Sequence, residues 1–192
     1  MSELFKGFFR DKPGNAPRVT GGAYTIDERD TVQAIEDFPQ SCVGAPMPVI
    51  LASEHTLIVA FYLEVRDPNW DGTYVKVMSL DSSDEPIAVV RFARATTHYF
   101  GPPNDEAFAG HPLAARGLKP YGAFEVLSSS WIRALERMNS VHPYHKPEHF
   151  AGRRHFVLTF HDTIFECVAR DFSVERPTGS MRSILPELVA SL

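Results

Sequence analysis

Histidine is the residue type whose placement first suggests chemistry in this sequence. Six of the eight histidines fall between positions 111 and 161. Imidazole nitrogens and carboxylates bind zinc and similar divalent ions, and the same groups transfer protons near neutral pH. The clustering therefore indicates either a divalent-metal site or a His/carboxylate acid–base site. The candidate metal ligands are His111, His142, His145, His161 and Glu166.

Spacing restricts how these histidines can act together. His142, His145 and His149 have a helical i, i+3, i+7 spacing, but Pro143 and Pro147 interrupt any helix there, so the sequence places all three on a loop.

A strand pattern separates two other histidines. His155 and His161 lie six residues apart on one predicted strand, about 20 Å at the rise of a strand, so they cannot bind the same ion. His161 and Glu166 point to the same polar face of a predicted hairpin and could act together.

The segment 101–122 is too rich in glycine and proline for regular structure, and connections of this length are uncommon in compact domains. One interpretation is a functional loop. The alternative is an Ω-type loop whose Phe108, Leu113 and Leu118 fill the edge of the core. Under the first interpretation, its binding candidates are Asp105, Glu106, His111 and Arg116.

Several established catalytic motifs do not occur in the sequence. There is no G-x-S-x-G nucleophile elbow, no G-x-G-x-x-G dinucleotide fingerprint and no G-x-x-x-x-G-K-[ST] phosphate loop. The H-x-H pattern of a metal-binding β-barrel is also missing. These observations disfavour serine hydrolase, dinucleotide-dependent and P-loop nucleotide chemistry.

Strands dominate the elements that must position the candidate residues. Alternating or continuous apolar runs bounded by turn-forming residues predict a meander of antiparallel strands with short connections. The run 57–63 is apolar almost throughout, which indicates a central strand covered on both faces. The predicted strands are 48–52, 56–65, 74–80, 87–97, 123–127, 155–162 and 163–172.

The last two predicted strands form a hairpin whose register follows from a two-residue turn at Asp162–Thr163. In that register Phe160 opposes Phe165 and Leu158 opposes Cys167, so one face is entirely apolar. The other face carries the polar residues His155, Thr159, His161 and Glu166.

Apolar periodicity predicts four helices around these strands. The clearest begins at a cap of Ser128 or Ser129 and extends to about Asn139 with one apolar stripe. A second packing helix covers 183–192, with Pro186 in its first turn. Two short helices are predicted near the N-terminus, one presenting Leu4, Phe5, Phe8 and Phe9 and one capped by Asp30 that presents Val32, Ile35 and Phe38.

Composition sets the fold class and cellular setting. The 192 residues, 44% of them apolar, predict one domain over 1–192, in which an irregular segment 1–47 packs on a β-rich body. The expected class is α+β, mainly antiparallel sheet arranged as a sandwich or an open barrel. A formal charge of −5 with scattered basic residues disfavours nucleic acid as a partner.

Cysteine usage and hydropathy predict the compartment. Two cysteines cannot form a disulfide framework, which favours a reducing compartment and a cytoplasmic location. No apolar stretch reaches the roughly 20 residues needed to span a bilayer, so the sequence predicts a soluble protein without a membrane partner.

Two functional interpretations follow. The favoured one is a non-catalytic module that binds a small molecule or a protein through loops 101–122 and 141–154, beside the polar hairpin face. The alternative is a metal-dependent or His/carboxylate enzyme in which the candidate histidines and Glu166 converge on one pocket. The sequence shows no evident cofactor other than a divalent metal, and it does not define the ligand or the oligomeric state.

Overall fold

Two antiparallel sheets form the body of the protein. The structure is a computed structural model that describes residues 24–65, 73 and 77–192. The first sheet has the strand order β1-β6-β7-β8-β5, and the second has the order β10-β4-β3-β2, with β9 also paired to β4. This architecture confirms the predicted α+β class with mainly antiparallel sheet. The strands are β1 (Thr31–Ala34), β2 (Val49–Ala52), β3 (Leu57–Tyr62), β4 (Glu85–Ala93), β5 (Thr97–Gly101), β6 (Ala123–Leu127), β7 (Arg154–Thr159), β8 (Ile164–Ala169), β9 (Asp171–Glu175) and β10 (Thr178–Gly179).

The two sheets pack face to face around a shared apolar core. Strands β3 and β4 of the second sheet contribute residues such as Phe61 and Phe92, and β7 and β8 of the first sheet contribute Phe156 and Phe165. Several of these rings contact one another, with centroids 5.4 Å apart for Phe92 and Phe165. Aromatic contacts of this kind add to the area burial that drives sheet packing.

Helices and connections cover the two outer faces. The first sheet is covered by helix α1 (Ser130–Asn139) and by the segment 101–122, whose Phe108, Leu113 and Leu118 are buried. The second sheet is covered by helix α3 (Met181–Ala190). A short helix α2 (Glu148–Ala151) and two turns of 3-10 helix, Phe108–Gly110 and Ala114–Arg116, complete the helical structure described.

Local signals explain the two longer helices. The hydroxyl of Ser129 accepts the amide hydrogen of Ile132 and so caps α1, as the sequence predicts. Helix α3 begins earlier than predicted because Ser180 and Ser183 form a reciprocal capping box, which places Pro186 beyond the first turn. Among the described residues no helix is both long and apolar enough to cross a bilayer.

Several element predictions are wrong. The helix predicted after Asp30 is strand β1, which pairs with β6. The single strand predicted over 87–97 is two strands, because the chain turns at Arg94, which has a φ of 52°. Residues 77–80 are not a strand; the rest of that predicted strand and the predicted helix near Phe5 lie outside the described residues.

The predicted hairpin exists, but its register is wrong by two residues. Leu158 pairs with Phe165, and Thr159 pairs with Ile164, so four residues rather than two connect β7 to β8. The amide of Phe160 closes this turn on the carbonyl of Thr163 at 2.9 Å. Because a shift of two preserves the alternation of side chains, each predicted face keeps its residues. The polar face is nevertheless covered by α1 and the 101–122 segment.

Candidate functional site

A half-buried polar cluster, the His161 cluster, comprises Asp105, Tyr121 and His161. His161 belongs to the β7–β8 turn, and Tyr121 precedes β6 in a left-handed conformation with a φ of 58°. The backbone amide of Asp105 donates to the carbonyl of His161 at 2.9 Å. His161 Nδ1 lies 2.9 Å from the Tyr121 hydroxyl and 3.1 Å from Asp105 Oδ2. The three side chains therefore form one hydrogen-bonded unit.

The hydrogen bonds of the His161 cluster determine the tautomer of the neutral His161 ring. The Tyr121 hydroxyl donates to the Asp105 carboxylate, so Nδ1 of His161 must carry a proton to donate to the same two oxygens. The neutral ring then keeps an acceptor lone pair on Nε2. The His161 side chain is 41% exposed, and Nε2 lies 4.0 Å from the carboxylate of Asp162.

The same contacts shift the acidity of the two oxygen groups. The hydrogen bond from Tyr121, against the opposing effect of burial and with help from His161, lowers the pKa of Asp105 below its usual range. The bond to Asp105, followed by burial, raises the pKa of Tyr121 to about 12. Asp105 is accordingly ionised and Tyr121 protonated near neutral pH.

A cleft of about 150 Å³ opens beside this cluster. Most of its lining residues are apolar and some belong to the inter-sheet core, and polar groups also face it. The lining residues are Ala34, Ile35, Phe38, Pro39, Gln40, Ser41, Phe61, Gly122, Ala123, Phe124, Leu158, Thr159 and Phe160.

Two chain connections join the cleft to the His161 cluster. Gly122 and Phe160 line the cleft, and Tyr121 and His161 are their immediate neighbours in the sequence. The Gln40 side-chain amide also donates to the carbonyl of Tyr121 at 3.2 Å. The cleft and a partly exposed imidazole therefore occur at the same end of the sandwich.

Gly122, where the cleft meets the His161 cluster, is closely packed. Its amide donates to the Thr159 hydroxyl at 2.8 Å. A Cβ atom at Gly122 would lie 2.8 Å from two ring atoms of Phe124, closer than packed atoms allow. A larger residue at position 122 would therefore force the Phe124 ring to shift where this wall of the cleft meets the polar cluster.

A second polar cluster, the Glu166 cluster, is buried beneath α1 and the 101–122 segment. Glu166 Oε2 accepts from the Tyr24 hydroxyl at 2.5 Å and lies 2.9 Å from His155 Nε2. Its Oε1 lies 3.1 Å from His111 Nε2. The side chains of Glu166, His111 and His155 are at most 5% exposed. Three hydrogen-bond donors from three parts of the chain thus meet one buried carboxylate.

Backbone and hydroxyl groups orient both imidazoles of the Glu166 cluster. The Leu113 amide donates to His111 Nδ1 at 3.2 Å, so the ring proton of neutral His111 is on Nε2, facing Glu166. His155 Nδ1 contacts the Ser129 hydroxyl at 2.9 Å. Burial raises the pKa of Glu166, but the bonds from His111 and His155 outweigh it and lower that pKa to about 2. Burial, with the nearby Glu166 charge, raises the pKa of the Tyr24 hydroxyl.

The structure pairs the predicted site residues differently from the sequence interpretation. His161 contacts Asp105 rather than Glu166, and Glu166 contacts His111. His145 Nε2 lies 3.0 Å from Glu136 of α1.

The remaining candidates take local roles. His142 Nδ1 accepts the amide hydrogen of Tyr144 at 3.2 Å. Arg116 donates to the carbonyl of Glu28 at 3.3 Å, and Glu106 is exposed. Within the described ranges, no three His, Cys, Asp or Glu side chains are grouped as metal ligands.

Sequence reasoning did not identify Tyr121 or Tyr24 as site residues. Tyr121 lies in the predicted functional loop, but no spacing rule connects it to His161, 40 positions away. Tyr24 lies 142 positions from Glu166 and has no local signal. Only the fold brings these hydroxyl groups to their partners.

Comparison of the chain with models of protein families, with curated proteins and with solved structures gave no match. Functional inference therefore depends on the geometry of the two clusters and the cleft.

Proposed function

We propose that this protein is a non-catalytic module that binds a small organic ligand in the cleft beside the His161 cluster. The observation that carries the proposal is a cleft lined mostly by apolar residues next to an imidazole whose Nε2 carries an acceptor lone pair. Ligand sites commonly combine an apolar lining with a few polar groups that fix orientation. The 101–122 segment supplies Asp105, Tyr121 and Gly122 to this region.

Size and charge define the ligand class. A space of about 150 Å³ is large enough for a group the size of one benzene ring. Asp105 is ionised and Asp162 is an exposed carboxylate beside His161, so the rim favours a hydrogen-bond donor or a cation and disfavours an anion. A ring bearing a protonated amine meets both conditions, and benzylamine is the simplest probe.

An NMR titration of the folded chain with benzylamine tests the proposal. We expect saturable shifts at amides around Gly122 and Phe160, with affinity in the millimolar to micromolar range that suits a ligand of this size. Benzoate, which has the same ring and the opposite charge, should bind at least about tenfold more weakly.

Two substitutions at His161 sharpen the test. His161→Asn keeps a donor near the Nδ1 position but removes Nε2, so it should weaken benzylamine binding about tenfold or more. His161→Gln can place its amide oxygen near the Nε2 position and should retain part of the affinity. His55→Asn, at a side chain 89% exposed in another turn, is the matched control and should change nothing. If all three variants bind benzylamine with the same affinity as the wild-type chain, a ligand contact at His161 is refuted.

The orientation of His161 by Asp105 favours one alternative, a His/carboxylate or metal-dependent enzyme. A carboxylate that fixes the Nδ1 proton leaves Nε2 as a base or a metal ligand. Elemental analysis of the purified protein separates the two proposals. Stoichiometric zinc, iron or manganese that is lost in His161→Ala or His111→Ala would favour the enzyme. We also propose a cytoplasmic location, since the free cysteines Cys42 and Cys167 suit a reducing compartment.

A further inference from the structure

Three arginines meet at the opposite end of the β7–β8 hairpin from the cleft. Arg153 precedes β7, Arg170 connects β8 to β9, and Arg94 follows β4. In the strand ladders, Arg154 pairs with Ala169 and Ala93 pairs with Asp171. One residue further along each ladder, Arg170 is the next position opposite both Arg153 and Arg94. Arg170 therefore lies across from Arg153 on one side and from Arg94 on the other, where the chain passes between the two sheets.

Hydrogen bonds fix this arrangement, which we call the arginine corner. The amide of Arg170 donates to the carbonyl of Ala93 at 2.9 Å, and the Arg153 guanidinium donates through Nη1 to the carbonyl of Arg94. Arg94 holds its carbonyl in place through a left-handed backbone with a φ of 52°. These bonds fix the backbone at Arg94 and Arg170 and the side chain of Arg153, so the strand framework determines where the three side chains begin.

Among the described residues, no carboxylate forms an ion pair with the arginines of the corner. In the part of the chain that the structure describes, the arginines in ion pairs are Arg29, Arg91, Arg133, Arg154 and Arg182. The nearest acidic neighbour in sequence, Asp171, is engaged by Arg154 at 3.0 Å. Burial, followed by the positive charges of Arg170 and Arg94, lowers the pKa of Arg153.

Arg153 also has an unsatisfied donor. Its Nε is buried and has no hydrogen-bond partner in the described part of the chain, although the residue as a whole is half-buried. A partly desolvated guanidinium without a counter-charge and with an unpaired N–H is unfavourable, and such groups usually have an anionic partner. Arg94 and Arg170 are exposed, so an anion can approach from solvent.

We propose that Arg94, Arg153 and Arg170 bind the phosphate group of a small phosphorylated ligand. Three planar guanidinium groups provide several N–H donors for the oxygens of a phosphate, which accepts them in bidentate pairs. A phosphate monoester carries a charge of about −1.5 to −2, which would neutralise most of the positive charge of the corner. A carboxylate offers one charge and two oxygens and satisfies the corner less well.

The test is an NMR titration of the full chain with inorganic phosphate and with methyl phosphate, following backbone amides and arginine Nε–H signals. We expect saturation by both probes below about 10 mM, with shifts confined to residues near Arg94, Arg153 and Arg170. Acetate and sodium chloride at matched ionic strength should bind at least about tenfold more weakly.

Charge-removing substitutions at the two exposed positions avoid disturbing the half-buried Arg153. Arg94→Gln and Arg170→Gln should each weaken phosphate binding about tenfold or more. Arg137→Gln, at an exposed position of helix α1, should leave phosphate affinity within about twofold of wild type. Unchanged thermal unfolding in each variant would show that the loss is local.

Three results would overturn the proposal: shifts that rise linearly with phosphate without saturating, equal binding of acetate, or equal losses in Arg137→Gln and Arg170→Gln. None of these concerns the cleft, so the phosphate proposal and the amine-binding proposal stand or fall separately.

Discussion

Replacement of Glu166 by glutamine tests whether the Glu166 cluster stabilises the fold through an ionised carboxylate. The two oxygens of Glu166 accept from Tyr24, His111 and His155. In Glu166→Gln one oxygen becomes an amide nitrogen that faces former donors, and the negative charge is lost. Since a hydrogen bond to a charged group is worth about 1.5–3 kcal/mol and the three are not additive, we expect a loss near 3 kcal/mol around pH 7.

The lowered pKa of Glu166, which reflects the same hydrogen bonds, indicates a stabilisation of similar size. A pKa lowered from 4.5 to about 2 corresponds to stabilisation on the order of 3 kcal/mol. Because the folded-state pKa is the lower one, this stabilisation is complete above the unfolded pKa and is lost as pH falls towards about 2. Glu166→Gln has no carboxylate at this position, so its stability does not contain this pH-dependent contribution. The stability difference between the two proteins should therefore narrow by about 2 kcal/mol between about pH 7 and pH 3.

Urea unfolding followed by circular dichroism at several pH values measures both effects. The wild-type midpoint should exceed that of Glu166→Gln by about 1–2 M around pH 7, and the gap should close in acid. Glu175→Gln on β9 is the control, because Glu175 is 58% exposed and paired with Arg91; it should cost less than about 1 kcal/mol. A difference between wild type and Glu166→Gln that stays constant with pH would refute an ionised Glu166 as the source of stability.

Three further predictions concern the cleft wall, the His161 cluster and the inter-sheet core. Gly122→Ala places a methyl group 2.8 Å from the Phe124 ring, so the ring must shift and unfolding should be easier by about 1–3 kcal/mol in urea denaturation. Asp105→Asn removes the main cause of the raised Tyr121 pKa, and ultraviolet difference titration should show that pKa fall from about 12 towards 10. The Cys167 thiol is buried and its pKa is raised, so a thiol-exchange reagent such as DTNB should leave it unmodified in the native protein and react after unfolding.

Each of these predictions has a matched control. Gly110→Ala should be tolerated, because nothing lies within 4 Å of an added Cβ there. Asp162→Asn should lower the Tyr121 pKa less than Asp105→Asn does, since Asp162 makes no hydrogen bond to that hydroxyl. A Cys42→Ser variant leaves Cys167 as the sole cysteine of the chain. Rapid labelling of that variant before unfolding would contradict the burial argument.

Local pattern was sufficient for several elements of the fold. The apolar run at Leu57–Tyr62 identifies a strand covered on both faces, and every residue of β3 is buried. The apolar stripe and serine cap identify α1, because capping and i, i+4 spacing involve only near neighbours. The alternation along β7 and β8 assigns side chains correctly to the two faces even though the register is wrong.

Other features depended on contacts between distant parts of the chain. Asp30 has the sequence signature of a helix cap, but it lies beside the start of β1 and accepts the backbone amide of Ser130 at 2.7 Å, at the beginning of a helix 100 positions away. The type of residue 30 correctly indicated a carboxylate that accepts a backbone amide hydrogen at a helix start. Which helix it would meet did not follow from the neighbouring residues.

The histidines with which the sequence analysis began show the same division. The clustering of histidines suggested a site shared with carboxylates, but the one specific pair predicted, His161 with Glu166, does not form. Which histidine meets which carboxylate was decided by the path of the 101–122 segment, which brings His111 under cover to Glu166 and Asp105 to His161. The arginine corner likewise exists only because the chain passes between the sheets at Arg170. Periodicity indicates which neighbours along the chain share a face with a residue. A site also needs residues from distant segments, and these come together only through loop closure and sheet packing, which depend on the whole sequence.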